Sequence, residues 1–434
     1  MALTKMHWRE DTVHTKPVWS VDPDISVVEA ISRHHLLPHI DISNKELTVA
    51  LLGEGSFNKA YTVDVKATSD VKSYVFRATL PVEPSDKVRS EVATLDYIKR
   101  HTNIAVPTVI AYDSSSDNAL GFEWILMEKI SGEPISNIWR GLSDSSKVAI
   151  TREIASYVLH MRENCLFHGI GALYRGVDNE EFAIGPIVTQ FVFMGARRQL
   201  LTRNRGPYHH DSDFVQALID IQVADVHLVK TMSPDDPNFD KYLFEDAPGV
   251  LHAVEELRSL VPQIFPENER NDPIRTVLMH PDLSHSNILI DPDTLKITGV
   301  IDWECTNASP QWEHPYPECL IGPDVAEEAN RVELGDTDEL RNELWDDWEK
   351  TQLRKVFDEV AGPAPLADNP LAPLKRQFLE ALATAEQSEV LVERWVKETR
   401  EGLAAIASTR VRCIFHFFLQ IIDSRPFAKA STAG

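Results

Sequence analysis

His280-Pro281-Asp282-Leu283-Ser284-His285-Ser286-Asn287, followed closely by Val300-Ile301-Asp302-Trp303-Glu304, decides how this chain reads. Between the two runs lie Asn287 to Ile290, an Asp291-Pro292-Asp293-Thr294 turn, and Leu295 to Ile301, the pattern of a β-hairpin. A hairpin brings its two open ends together. Asn287 opens the first strand and Asp302 ends the second, so both should converge beside Asp282 in the preceding loop. The chemistry such a group suits is phosphoryl transfer. A loop carboxylate can orient and deprotonate an acceptor hydroxyl, and an amide with a carboxylate offers hard oxygens to magnesium beside nucleotide phosphates. A zinc reading of His280 and His285 finds no third ligand nearby.

Upstream, Leu47 to Leu52 reads as a strand, and Gly53-Glu54-Gly55-Ser56-Phe57 as a turn whose glycines let main-chain amides approach phosphate oxygens. Taken alone, the same turn also fits an ordinary hairpin. It is not a P-loop, because the lysine–serine/threonine ending is missing. Ala60 to Val65 and Tyr74 to Leu80 are further strands. Ser85 and Asp86 offer caps to a helix with Val88, Val92, Leu95 and Ile98 on one face. Arg77 on the Tyr74 to Leu80 strand and Glu91 on this helix are a cation and a carboxylate that could pair. Arginine can grip phosphate through two parallel hydrogen bonds. The plainer alternative is an exposed ion pair of small energetic weight.

Val106 to Ala111 and Phe122 to Ile130 complete a small antiparallel sheet. After Ser131-Gly132-Glu133-Pro134 the spacing turns helical, over Ser146 to Asn164, Asp213 to Met232 and Ala247 to Val261. More helices follow, over Asp338 to Val360 and last near Ser408 to Ile422. The expectation is an α+β fold. It has an N-terminal extension (1–45) with a short helix at Ile25 to His34, a β-rich N-lobe (46–130), and a mainly helical C-lobe (131–434). The cleft between lobes is the expected ligand site.

The formal net charge of −24 argues against a nucleic-acid partner and is compatible with a cationic small-molecule acceptor. Cys165, Cys305, Cys319 and Cys413 lie too far apart for a zinc or disulfide framework. No stretch approaches the ~20 apolar residues of a membrane span. Met1 to Asp11 lacks a signal-peptide core and is too acidic for a transit peptide, so a cytoplasmic location is expected.

The pairing of HxDxxxxN with a following strand and IDWE resembles the aminoglycoside phosphotransferases, choline kinases and their relatives, a protein-kinase-like family. The resemblance runs from about Thr48 to about Pro323. It implies a two-lobe fold with ATP, or GTP, as co-substrate and Mg²⁺ as cofactor. It implies Asp282 as catalytic base, His280 as brace of the loop, and Asn287 and Asp302 as magnesium ligands. Gly53, Gly55, Ser56 and Phe57 would cover the nucleotide, Arg77 and Glu91 would clamp its phosphates, and main-chain groups near Glu128 to Ile130 would hold the base. Pro281 stands where many members have glycine, and Arg77 where the wider pattern has lysine. Arginine at that strand, with Gly171-Ala172-Leu173-Tyr174 and Arg205-Gly206-Pro207-Tyr208, is similar to a fungal branch.

Trp303 and Glu304 are candidates to meet the acceptor: Glu304, Glu313 and Glu318 are acidic groups that could meet an amine, and Trp303, Trp312 and Tyr316 could form an aromatic box for a cation, although core packing is the favoured reading of these aromatic residues. A nucleotide-binding module without transfer is the alternative function. A protein kinase fits less well, because HPD and IDWE replace HRD and DFG and no APE-like segment follows.

Overall fold

The computed structural model describes residues 6–10, 15–37, 46–67, 70–176, 181–200, 204–236, 238–266, 274–313, 316–326, 339–362 and 370–408. The expected last helix near Ser408 to Ile422 therefore lies almost wholly outside the described residues.

A hairpin of β1 (Met6–Glu10) and β2 (Thr15–Trp19) and the helix α1 (Ile25–Leu36) lead into the N-lobe. Asp24 caps α1 by accepting the Ser26 amide at 2.8 Å. The N-lobe sheet contains β3 (Glu46–Glu54), β4 (Asn58–Ala67), β5 (Asp70–Thr79), β6 (Val109–Asp113) and β7 (Glu123–Glu128). All neighbours are antiparallel, in the order β3-β4-β5-β7-β6. Alternation along β4 and β5 puts Tyr61, Val63, Val65, Phe76 and Ala78 into one core.

Helix α2 (Asp86–His101) lies against this sheet, and Val88, Val92, Leu95 and Ile98 are buried as their spacing requires. Its start differs from the expected cap. Ser85 has φ 69° and makes no side-chain cap bond, and its N–H instead donates to Glu123 at 3.0 Å.

Past the hinge, β8 (Glu133–Pro134) adds to the later hairpin. The C-lobe contains α3 (Asp144–Asn164), β9 (Leu166–His168), β10 (Gly171–Arg175), β11 (Phe182–Ile184), α4 (Gln190–Phe193), α5 (Asp211–Val229) and α6 (Lys241–Ile264). There follow β12 (Arg275–Met279), β13 (Ile288–Ile290), β14 (Ile297–Val300) and β15 (Asn307–Pro310). The described chain closes with α7 (Glu339–Ala361), α8 (Ala372–Thr384) and α9 (Glu389–Ser408).

Two apolar cores divide the C-lobe. One joins α3, α7 and the β13–β14 hairpin, and the other joins α5, α6, α8 and α9. Buried ion pairs stitch each, Lys147 to Glu349 at 2.6 Å in the first and Lys375 to Asp211 at 2.7 Å in the second. The fold is the α+β, protein-kinase-like two-lobe arrangement, with a small antiparallel N-lobe and a larger, mainly helical C-lobe.

Candidate active site

The hairpin positions the site. Ile288 pairs with Val300, and the Ile301 amide donates to the Asn287 carbonyl at 2.9 Å. Asn287 is thereby bonded to the residue just before Asp302. Asn287 also spends its amide N–H groups on Asp282, reaching the carbonyl at 2.8 Å and the carboxylate at 2.9 Å. Its carbonyl oxygen is what remains to offer.

His280 sits behind this pair. Its Nε2–H donates to the Ile301 carbonyl at 2.9 Å, and its Nδ1 accepts the Asp282 amide at 3.1 Å. Those two bonds fix one neutral tautomer. Burial pushes the ring down to about 4. With both nitrogens used by main chain, His280 has none left for zinc.

Asp302 adopts φ 64°, a conformation that aspartate tolerates better than most residues and that is held by its surroundings. The next residue does the holding. The Trp303 indole donates to the Val300 carbonyl at 3.0 Å, its carbonyl accepts the Thr306 hydroxyl at 2.8 Å, and its ring packs edge-on to His280. Trp303 is 1% exposed. It therefore shapes the turn, and the expectation that it meets an acceptor is corrected.

A charge network spans the cleft. Arg77 on β5 pairs with Glu91 on α2 and lies 3.4 Å from Asp302. Burial disfavours the Arg77 charge, but Glu91, Glu304 and Asp302 outweigh it and hold the guanidinium protonated. Lys87, buried on the same helix, pairs with Glu304. Asn58 donates to that same Glu304 oxygen at 2.7 Å. Burial disfavours the Glu304 charge too, yet Lys87 and Arg77 with the two hydrogen bonds keep it below the usual carboxylate range. Two cations thus face three carboxylates. The imbalance falls on Asp302, which burial and then Glu304 push well above the usual range. Its side chain is nevertheless 41% exposed, so it is crowded by protein yet opens to the cavity.

These groups border a cavity of about 530 Å³ lined at this end by Gly55, Ser56, Phe57, Asn58, Asp282, Asp302 and Glu304. A Cβ on Gly53 would meet no atom within 4 Å, and on Gly55 only the Asn58 carbonyl at 4.0 Å, so nothing in the fold itself crowds the top of the turn. Phe57 is anchored beneath, 4% exposed and edge-on to Phe193. Among the expected cover it is the floor of the turn.

Other expectations shift. The Glu128 amide donates to Thr108 at 2.9 Å and the Lys129 amide to Ser73 at 3.2 Å, so both are committed to the protein. Of the expected hinge donors, Ile130 is the one such bonds do not claim. Glu304, being bound to Lys87 and Asn58, is not spare for an acceptor cation. The aromatic box does not form: Trp312 packs on Phe265, and Tyr316 donates to Asp358 at 2.9 Å. Glu313 lines the cavity and Glu318 does not. Lys87 and Asn58 were not singled out in the sequence. The available signal was that Lys87 stands four residues before Glu91, on the same helix face. Arg205, in the segment similar to the fungal branch, ties Glu83, just ahead of α2, to Asp86, its first residue.

Asn287 and Asp302 together fit magnesium, which takes hard oxygens from one or two side chains and completes its shell with phosphates and water. Among the described residues no cluster of three or more His, Cys, Asp or Glu side chains could hold a metal without such help.

Residues 48–313 match the phosphotransferase enzyme family (APH), and the chain belongs to that family. It is 29% identical to a subtelomeric hrmA-associated cluster protein of Aspergillus fumigatus, over 62% of this chain and 60% of that one. It is 22% identical to altered inheritance of mitochondria protein 9, mitochondrial, of Meyerozyma guilliermondii, over 87% of this chain and 62% of that one. The chain therefore spans about 60% of the length of these curated relatives. Among solved structures it is similar to a macrolide 2′-phosphotransferase of Brachybacterium faecium (15% identity, TM-score 0.35, 89% and 99% of the two chains). It is also similar to a choline kinase of Cryptosporidium parvum (15%, 0.37, 92% and 95%). The expected cytoplasmic location is overturned, because relatives matched over most of the chain are named as mitochondrial. That expectation rested on Met1 to Asp11 alone. No helix among the described residues is long and apolar enough to cross a membrane.

Proposed function

We propose that the chain transfers the γ-phosphoryl group of a nucleoside triphosphate, ATP or GTP, to the hydroxyl of a small molecule. One observation carries this reading: Asp282, held by Asn287, and Asp302, held by Arg77, border the same cavity under the glycine turn. Asp282 is exposed to that cavity and has no cationic partner among its hydrogen bonds. It suits the base that orients the acceptor hydroxyl and takes its proton as the new O–P bond forms and the bond to the β-phosphate oxygen breaks. The diphosphate leaves. Asn287 and Asp302 would hold Mg²⁺, which would supply positive charge to the phosphates. Arg77, kept protonated by its carboxylates, binds phosphate, and Glu91 fixes its direction. His280 holds the loop so that Asp282 does not reorient.

The names of the relatives support a mitochondrial location for this chain. A module that binds nucleotide without transfer draws on the Arg77–Asp302 contact, which places a cation at the metal-binding carboxylate.

The test is Asp282→Asn, read by mass gain of one phosphoryl group on acceptors and by calorimetry of magnesium nucleotide. Turnover falls about 10²–10⁴-fold while nucleotide still binds. A variant as active as the native protein would remove Asp282 from the chemistry, and a native chain that binds nucleotide but transfers to no acceptor would favour the module.

A further inference from the structure

The cavity's lining combines the carboxylates just described and the polar Thr189, Gln190, Asn307 and Ser309 with six apolar residues of one packed cluster: Ile187, Phe191 on α4, Phe214 and Leu218 on α5, and Leu379 and Leu382 on α8. Neither Arg77 nor the hinge from Glu128 to Ile130 is among its walls, so the space extends away from the nucleotide's base, beyond the phosphate end. At about 530 Å³ it is the size of a pocket for a drug-sized molecule.

Charge decides what can fill it. Four carboxylates border the cavity: Asp282, Asp302, Glu304 and Glu313. The first is committed to the acceptor hydroxyl and the second to the metal. The third is bound by Lys87. The fourth, Glu313, is a single carboxylate, too few to answer a multiply charged amine, whose remaining charges six apolar side chains would desolvate at considerable cost. An uncharged apolar body gains from the same wall, because each buried methylene leaves water.

We infer that the acceptor is an alcohol with a neutral, apolar body, its hydroxyl at Asp282 and its body against the α5–α8 wall. The inference rests on the phosphotransfer reading and narrows its substrate class.

The experiment uses 2-phenylethanol, 4-phenyl-1-butanol and 6-phenyl-1-hexanol, with choline and kanamycin as cationic comparators. Each is titrated calorimetrically into the full chain, with and without magnesium and a non-hydrolysable ATP analogue, and assayed as acceptor with ATP. Affinity and kcat/KM rise about fourfold per added methylene, and the cations bind more weakly than the longest alcohol. Leu379→Glu, at a half-buried wall position outside the catalytic group, flattens the series and leaves binding of the ATP analogue unchanged. A series flat in the native protein, or tighter binding and faster transfer with choline or kanamycin, overturns the inference. Failure to bind the ATP analogue defeats the phosphotransfer reading alone, since the alcohol titrations without nucleotide still decide what the pocket accepts.

Discussion

His280 carries the site's loop on two main-chain hydrogen bonds, and the one that its Nδ1 accepts from the Asp282 amide requires a neutral ring. Burial lowers its pKa from 6.5 to about 4. Between those values the unfolded chain takes up a proton that the folded chain refuses. The stability owed to His280 is therefore complete above about pH 6.5 and drains away as pH falls toward 4. His285 moves in the same direction, while burial raises Glu123 to about 7 and Asp225 to about 6, which pull oppositely. The clean readout is a difference. Native protein and His280→Gln, unfolded in urea at about pH 7.5 and pH 5, should show a stability gap that narrows by roughly 2 kcal/mol at the acid end. A gap independent of pH would mean that His280 is not buried neutral. Asp282, Asn287 and Asp302 were legible in the sequence because a loop and one hairpin bring them together locally. Lys87 and Asn58 were not, because each acts through partners that only the folded lobes supply.

At the level of elements, the β13–β14 hairpin and the N-lobe strands were readable from alternation and turn residues. The C-lobe sheet, in the order β11-β10-β15-β12-β9, was not. Its strands are three to five residues long and pair across long stretches of chain. Helix α6 was read too short because Pro248 stands inside it, although Asp240 caps the true start by accepting the Leu243 amide at 2.7 Å. The hinge element depends on Gly132. Its φ is 111°, and a Cβ there would stand 2.6 Å from Thr298 Oγ1 and 2.7 Å from the Ile290 carbonyl. Thr298 in turn donates to Ser131 at 2.6 Å. Gly132→Ala should cost about 2–4 kcal/mol in denaturant unfolding, combining backbone strain with displacement of the hairpin. A loss under about 0.5 kcal/mol would show that the hinge and hairpin are not packed as described.

Across the whole molecule, the two lobes meet through charge. Lys87 and Asn58 from the N-lobe grasp Glu304, and Arg77 reaches Asp302. Lys87 is 1% exposed and Glu304 14%. Removing one partner strands the other charge in a poorly solvated place, which typically costs about 3–5 kcal/mol. Lys87→Met should therefore destabilise the native fold by that order, and adding Glu304→Gln should restore a good part of it. Additive losses in urea titrations would show that the two side chains do not depend on each other. The two-lobe plan was readable from the change of pattern near residue 131. The clamp between the lobes was hidden, because no local spacing links a helix start to a residue beyond the distant hairpin.

Leu379 and Leu382 of the cavity's apolar wall come from α8, which enters the chain long after the hairpin that carries Asn287 and Asp302. That part of the wall is thus written in a separate paragraph of the sequence from the hairpin. Descendants of one ancestor could exchange the residues at Leu379 and Leu382, reshape the pocket, and keep Asp282, Asn287 and Asp302 untouched.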